Sequence, residues 1–134
     1  MSPLESLHYA IGELAYAVAR ADGKLQKEEN DKFAEIVKKE LQEQHYEFEV
    51  ADITYKVMAR DKSDMDTTYY WALHEMRIYS HYLSPALKQK FIQILETIAE
   101  AFPPATFEEK GLIERFKMDI EPLKGDPVFY NLNR

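Results

Sequence analysis

The chain has no cysteine. That removes disulfides, thiolate nucleophiles and every cysteine-ligated zinc or iron–sulfur site. Glycine is scarce, four in 134 residues, and none sits in a Gly-rich phosphate loop. Ser-His-Asp and His-Glu-x-x-His patterns are missing too, so no catalytic residue is nominated and the expectation is a non-enzyme. Positive charge is in deficit, with 17 Lys and Arg against 24 Asp and Glu for a net charge of −7. Such a field repels phosphate backbones, and no basic stripe offsets it, so nucleic acid and anionic membrane are not expected partners. No apolar run has the length of a membrane span. The first residues, Met-Ser-Pro-Leu-Glu-Ser-Leu-His, carry an acid where a secretion signal carries bases. A soluble cytoplasmic protein is the expectation.

What is present is the profile of an ordered globular chain, 46% hydrophobic and 31% charged. Its length predicts one domain over residues 1–134, with a core over about 4–120 and an irregular tail over 121–134 packed back through its aromatics. The fold class read from periodicity is all-α, a bundle of six to seven helices. Leu7, Ile11, Leu14 and Val18 form one stripe of a helix over Leu4 to Ala21, with Pro3 in its first turn. A second helix is predicted over Lys27 to Leu41, burying Phe33, Ile36, Val37 and Leu41. After a polar link from Gln42 to Tyr46, a third runs from Phe48 to Arg60 with Val50, Ile53 and Val57 inward.

The Asp-rich turn Asp61 to Asp66 follows, and Asp66 is the predicted cap of a fourth helix over Thr67 to Leu83. That helix carries Tyr69, Leu73 and Met76 on one side and Trp71, Ile78 and Tyr82 on another, which places it at the centre of the bundle. Ser84-Pro85 opens a fifth helix running to Phe102 through Leu87, Phe91, Ile94, Leu95 and Ile98. Pro103-Pro104 stops it. Thr106-x-x-Glu109 is a capping box for a sixth helix that buries Leu112, Ile113, Phe116 and Ile120.

The chain also repeats itself at an offset of 80 positions. Val18-Ala19-Arg20-Ala21 matches Ile98-Ala99-Glu100-Ala101, and Glu28-Glu29 matches Glu108-Glu109. The bundle therefore reads as a degenerate duplicated helix pair, hinged at Ala21-Asp22-Gly23-Lys24-Leu25. Taken as a calcium loop, Asp22-Gly23-x-Leu25-x-x-x-Glu29 fits the second half of an EF-hand. The first half fails, because Val18 and Arg20 stand where two ligands belong. A plain helix-turn-helix cap and a weak or composite cation site both stay open on these residues.

The signature Ala19-x-Ala21-Asp22-Gly23-x-Leu25, with Glu28-Glu29 and Phe33 following, resembles the TerB-like family associated with tellurite resistance. The resemblance covers residues 4 to 120 and is strongest over the first 40. It implies an all-helical bundle, a cytoplasmic stress-response role, and an acidic surface for a divalent cation (calcium, magnesium, manganese or zinc). It also implies association with other proteins of a resistance system, some of them at the membrane. Carried over by position, the metal candidates are Asp22, Glu28 and Glu29, with Glu108 and Glu109 in the second copy. Phe102-Pro103 stands where the second Asp-Gly turn would be, a departure that sets a symmetric metal site in doubt. The other readings are a purely structural adaptor without metal and a small-molecule or metal pocket among the aromatics.

Glu5-x-x-His8 has di-metal spacing but no second copy. His74 and His81 lie too far apart along a helix to chelate. Asp61, Asp64 and Asp66 read as turn and cap chemistry, with a weak cation site shared with the Asp22 turn as the alternative. Because Gln26-x-x-Glu29 is the same box as Thr106-x-x-Glu109 with a poorer cap, Gln26→Ser is expected to stabilise by about 1 kcal/mol. An unchanged or lower melting temperature would remove that helix boundary.

Overall fold

In the computed structural model, residues 1–21, 35, 36, 39, 47–100 and 105–131 are described. The chain is all-α there, with no strand among the described residues. Helix α1, Pro3–Ala19, opens on a capping box: Glu5 N–H donates to Ser2 Oγ at 3.1 Å and Ser2 N–H to Glu5 Oε1 at 2.9 Å. The predicted stripe of Leu7, Ile11, Leu14 and Val18 is buried, and so are Ala10, Ala15, Ala17 and Ala19 on the remaining faces. A helix apolar all round must be enclosed by others. It packs on α2 (Glu47–Asp61), α3 (Met65–Ile78), α4 (Pro85–Glu100) and α5 (Phe107–Ile120), most extensively on α2 and α3.

This overturns the placement of the aromatic helix at the centre. Tyr69, Leu73 and Met76 of α3 are buried as predicted, but Trp71 is 52% and Ile78 54% exposed. The axis of the bundle is α1, whose small side chains let neighbours approach on every side. The closest approach is at Gly12, where a Cβ would lie 2.5 Å from the Ala51 carbonyl oxygen and 2.9 Å from Thr54 Cβ. That crossing sets the register of α2. Its buried residues are Ala51, Thr54 and Tyr55, whereas Ile53 is 61% exposed and Val50 and Val57 are half-buried, against the predicted inward face of Val50, Ile53 and Val57. No side chain fits at position 12 against the Ala51 carbonyl, and Tyr55 meets Tyr16 edge to face at 6.4 Å. Close packing outweighs the hydropathy of the β-branched stripe.

Helix α2 ends on paired hydrogen bonds, Ser63 N–H to the Met58 carbonyl and Lys62 N–H to the Ala59 carbonyl, with Lys62 at φ 52°. This is a Schellman cap with lysine where glycine is usual. The cap delivers the chain to Asp64, whose carboxylate accepts from Thr67 N–H at 2.9 Å. The N-cap of α3 is thus Asp64, two residues before the predicted Asp66, and that bond holds the Asp64 carboxyl below its ordinary range. Helix α3 stops at Ile78, and a separate 3₁₀ turn, Ser80–Tyr82, replaces the predicted run to Leu83.

Ser84 caps α4 through Leu87 N–H at 3.1 Å, and the predicted Leu87, Phe91, Ile94, Leu95 and Ile98 are buried. Thr106 and Glu109 form the predicted box on α5, and Leu112, Ile113, Phe116 and Ile120 face inward. In the tail, predicted irregular, Asp126 caps a one-turn helix α6, Pro127–Tyr130. Its Phe129 ring packs at 5.1 Å from His81 and 5.5 Å from Tyr82. Gly125 lies so close to the Leu83 carbonyl oxygen that no side chain fits between them.

The second predicted helix and its partner role in the duplication lie outside the described residues, as does Phe102-Pro103. Within them, the Ser-Pro pairs opening α1 and α4 sit two positions out of the 80-residue register. Two substitutions test the packing. Gly12→Ala, which drives a methyl into Ala51, is expected to cost about 1–3 kcal/mol in urea unfolding. Lys62→Gly, relieving the left-handed residue, is expected to add about 0.5–1 kcal/mol. Wild-type stability in both would contradict the crossing and the cap.

Candidate functional site

Of the predicted metal candidates, Asp22, Glu28 and Glu29 lie outside the described residues. Glu108 is exposed in the first turn of α5. Glu109 is buried because it caps: its Oε1 accepts from Thr106 N–H at 2.9 Å. Among the described residues, no group of three or more His, Asp or Glu is arranged to hold a metal ion. Glu5 serves its capping box, while His8 bonds the Leu4 carbonyl through Nδ1 at 2.7 Å and meets Phe91 edge-on. The two do not converge. Asp61 pairs with Arg60 at 2.9 Å and Asp66 is exposed.

The α2–α3 turn comes to the C-terminal end of α1, from which the Asp22 corner follows in sequence. Tyr16 Oη donates to the Ser63 carbonyl at 2.5 Å, and Arg20 Nη1 donates to Tyr16 Oη at 3.0 Å. The cation that acts on Asp64 there is the Arg20 guanidinium. Acidic turn and helix end therefore meet through a protein cation.

The chemically unusual surface is on α3. Tyr70 is 59% exposed, and its ring touches Trp71 edge-on at 5.3 Å and stacks parallel on His74 at 6.3 Å. Trp71 meets His74 edge-on at 5.4 Å. Ile78, one turn beyond His74, continues the same exposed face, with Arg77 beside it. Tyr69 faces the other way. Its hydroxyl donates to Asp119 Oδ2 at 2.6 Å and Arg115 lies 4.3 Å over its ring, so burial and that carboxylate push the phenol up. The aromatics that could have lined one pocket are split between core and surface. A cleft of about 300 Å³ opens between α4 and α5, lined by Glu96, Ala99, Lys110, Ile113 and Glu114, remote in sequence from those rings.

Beneath the α3 face lies a residue that the sequence reading passed over. Glu13 of α1 is 6% exposed, and its Oε1 has no hydrogen-bond partner among the described residues. Burial, then the like charge of Glu75 on α3, raises its pKa to about 8. Tyr9, one turn earlier, is pushed up by burial and by the same two carboxyls. The signal was available: Glu5 and Glu13 are the acidic residues of a 17-residue helix otherwise made of small, apolar and aromatic side chains and one histidine. Glu5 is at the cap, so Glu13 has to enter the core.

Comparison with protein-family models, curated proteins and solved structures returns no match. Nor is any helix among the described residues long and apolar enough to cross a membrane.

Glu13 sets a pH dependence whose sign is fixed. The folded state holds its proton up to about pH 8, whereas the ordinary carboxyl value is 4.5, so the folded form binds more protons in between. Stability is therefore full below that ordinary value and falls as pH rises toward 8. Glu5 and Asp64, held low by their caps, act only at the acid end. In a melting series across this window the wild type is expected to lose stability, with Glu13→Gln flatter and more stable at the alkaline end. A parallel fall in both proteins would contradict the assignment.

Proposed function

We propose that the chain is a non-catalytic protein-interaction module of TerB-like type, serving a cytoplasmic stress-resistance system, and that it receives its partner on the Tyr70, Trp71, His74 and Ile78 face of α3. The observation that carries this reading is the half-exposure of three mutually packed rings and an isoleucine on one helix. Large apolar side chains gathered in one exposed patch mark a recognition surface more often than single ones do. Tyr and Trp are the residues that supply rigid contact area at low entropic cost. The neighbouring Arg77 gives the face a positive edge on an acidic chain.

The divalent cation belongs to this proposal through the resemblance alone, with Asp22, Glu28 and Glu29 as its ligands and Glu108 with Glu109 as the degenerate counterpart. Glu109 fits the role poorly because its carboxylate is engaged at Thr106. If no metal binds, the same face serves a structural adaptor.

Two measurements separate these clauses. Pull-down from stressed cells with Tyr70→Ser and Trp71→Ser is expected to lose the partners that the wild-type chain retains, with an unchanged melting temperature. Retention by both variants would remove the docking face. Calorimetric titration with calcium, magnesium, manganese and zinc is expected to show binding that Asp22→Asn with Glu29→Gln abolishes. Silence from all four ions would leave the adaptor.

A further inference from the structure

We propose that the outward face of α5 is a self-association surface, on which a second copy of this chain lays its own α5 antiparallel, the two helices crossing at Gly111. This surface is separate from the α3 face and does not depend on the role given to it.

Gly111 is a glycine without an internal reason. It lies mid-helix and exposed, and no atom among the described residues comes within 4 Å of the point where its Cβ would be, whereas at Gly12 and Gly125 a neighbouring carbonyl crowds that point. Glycine in a helix interior weakens the helix relative to alanine, and its use is to let another backbone come close. One turn earlier Phe107 is 86% exposed, and two turns later Met118 is 75% exposed, the two most exposed large apolar side chains among the described residues. Phe107, Gly111, Glu114 and Met118 follow the four-three-four spacing of a helix-pairing seam. The flanks fix its direction. Lys117 reaches Glu96 of α4 at 3.1 Å and Arg115 lies 4.3 Å over the Tyr69 ring of α3, so the seam between them points away from both neighbours.

The charges decide which partner fits. Glu108 and Glu114 stand with Lys110 and Arg115 along the seam, two acids and two bases, all exposed, on a chain whose net charge is −7. A face balanced in this way offers little to a strongly charged partner, but it complements itself. In an antiparallel pair related by a two-fold axis at the level of Leu112, residues on the same flank face each other and positions equidistant from the axis meet. Phe107 of one copy then lies against Met118 of the other, an aromatic–thioether contact made twice. Lys110 meets Glu114 and Glu108 meets Arg115, opposite charges each time, whereas a parallel pair would set every residue level with its own kind. From Phe107 to Met118 the seam is about 16 Å long at 1.5 Å per residue, short for a permanent interface. The association is therefore weak and concentration-dependent.

Sedimentation equilibrium of the intact chain from about 10 µM to about 1 mM, the range of small interfaces, tests this. The wild type is expected to pass from monomer to dimer. Gly111→Ala is expected to weaken the dimer by about tenfold while raising the melting temperature in dilute solution, because the methyl blocks the crossing yet favours the lone helix. A chain that stays monomeric throughout, a Gly111→Ala dimer of wild-type affinity, or a lowered melting temperature overturns the proposal. Charge reversal supplies a second arm. Lys110→Glu and Glu114→Lys are each expected to be monomeric alone, since each sets like charges against one another, and to associate when mixed, since the two variants then carry opposite seams. Mixtures that remain monomeric, or single variants that dimerise as the wild type does, overturn it. Trp71→Ser is expected to leave the equilibrium unchanged; a dimer lost there would belong to the α3 face and sink the α5 seam.

Discussion

Everything in this fold answers to the burial of α1 from Ser6 to Ala19, where Tyr9 alone is partly exposed. Beyond its first turn, a helix with small and apolar residues on almost every face has little surface to offer water. Four other helices must enclose it, and their own registers are set by how they fit it. At roughly 25 cal/mol per Å² of apolar surface, a seam of this kind is the main source of stability in a chain of such size. The polar groups that appear on it are tied or protonated, because burying them any other way is too costly.

That dependence explains which features could be read beforehand. Caps are local chemistry, so Ser84 and the Thr106–Glu109 box were legible and set two helices correctly. The inward stripes of α4 and α5 were legible for a similar reason, since each helix has one apolar face and no rival. Helix α2 has rivals. Val50, Ile53 and Val57 make the more hydrophobic stripe, yet Ala51, Thr54 and Tyr55 face the core because Gly12 lets the α2 backbone come close at Ala51 and Tyr16 offers a ring edge. Pairwise fit of that kind is invisible to a hydropathy pattern. The start of α3 fell two residues early because the left-handed Lys62 and its Schellman bonds fix where the turn ends.

The misplacement of α3 at the centre came from counting aromatics as core. Burial of apolar residues is a rule that runs one way: most cores are apolar, but many apolar residues stay outside. Tyr69 and Trp71 are two positions apart, and one is tied inside by Asp119 while the other stands half in solvent. Glu13 is the converse case, a charge-type residue inside. The same misjudged centre concealed both. With α1 as the axis, its lone interior acid and the outward rings of its neighbour become two sides of one contact.

The order of the elements along the chain has a price during synthesis. The helix that needs the most covering is translated before the helices that cover it, and the tyrosine hydroxyl near its end waits for a carbonyl 47 residues downstream. The last helix to touch it, α5, ends at Ile120. At ordinary translation rates the enclosure of α1 is incomplete for roughly 5–20 s. Until α2 and α3 follow, a largely apolar helix is out of the ribosome without its main covers, so a nascent-chain holdase has a natural client in α1.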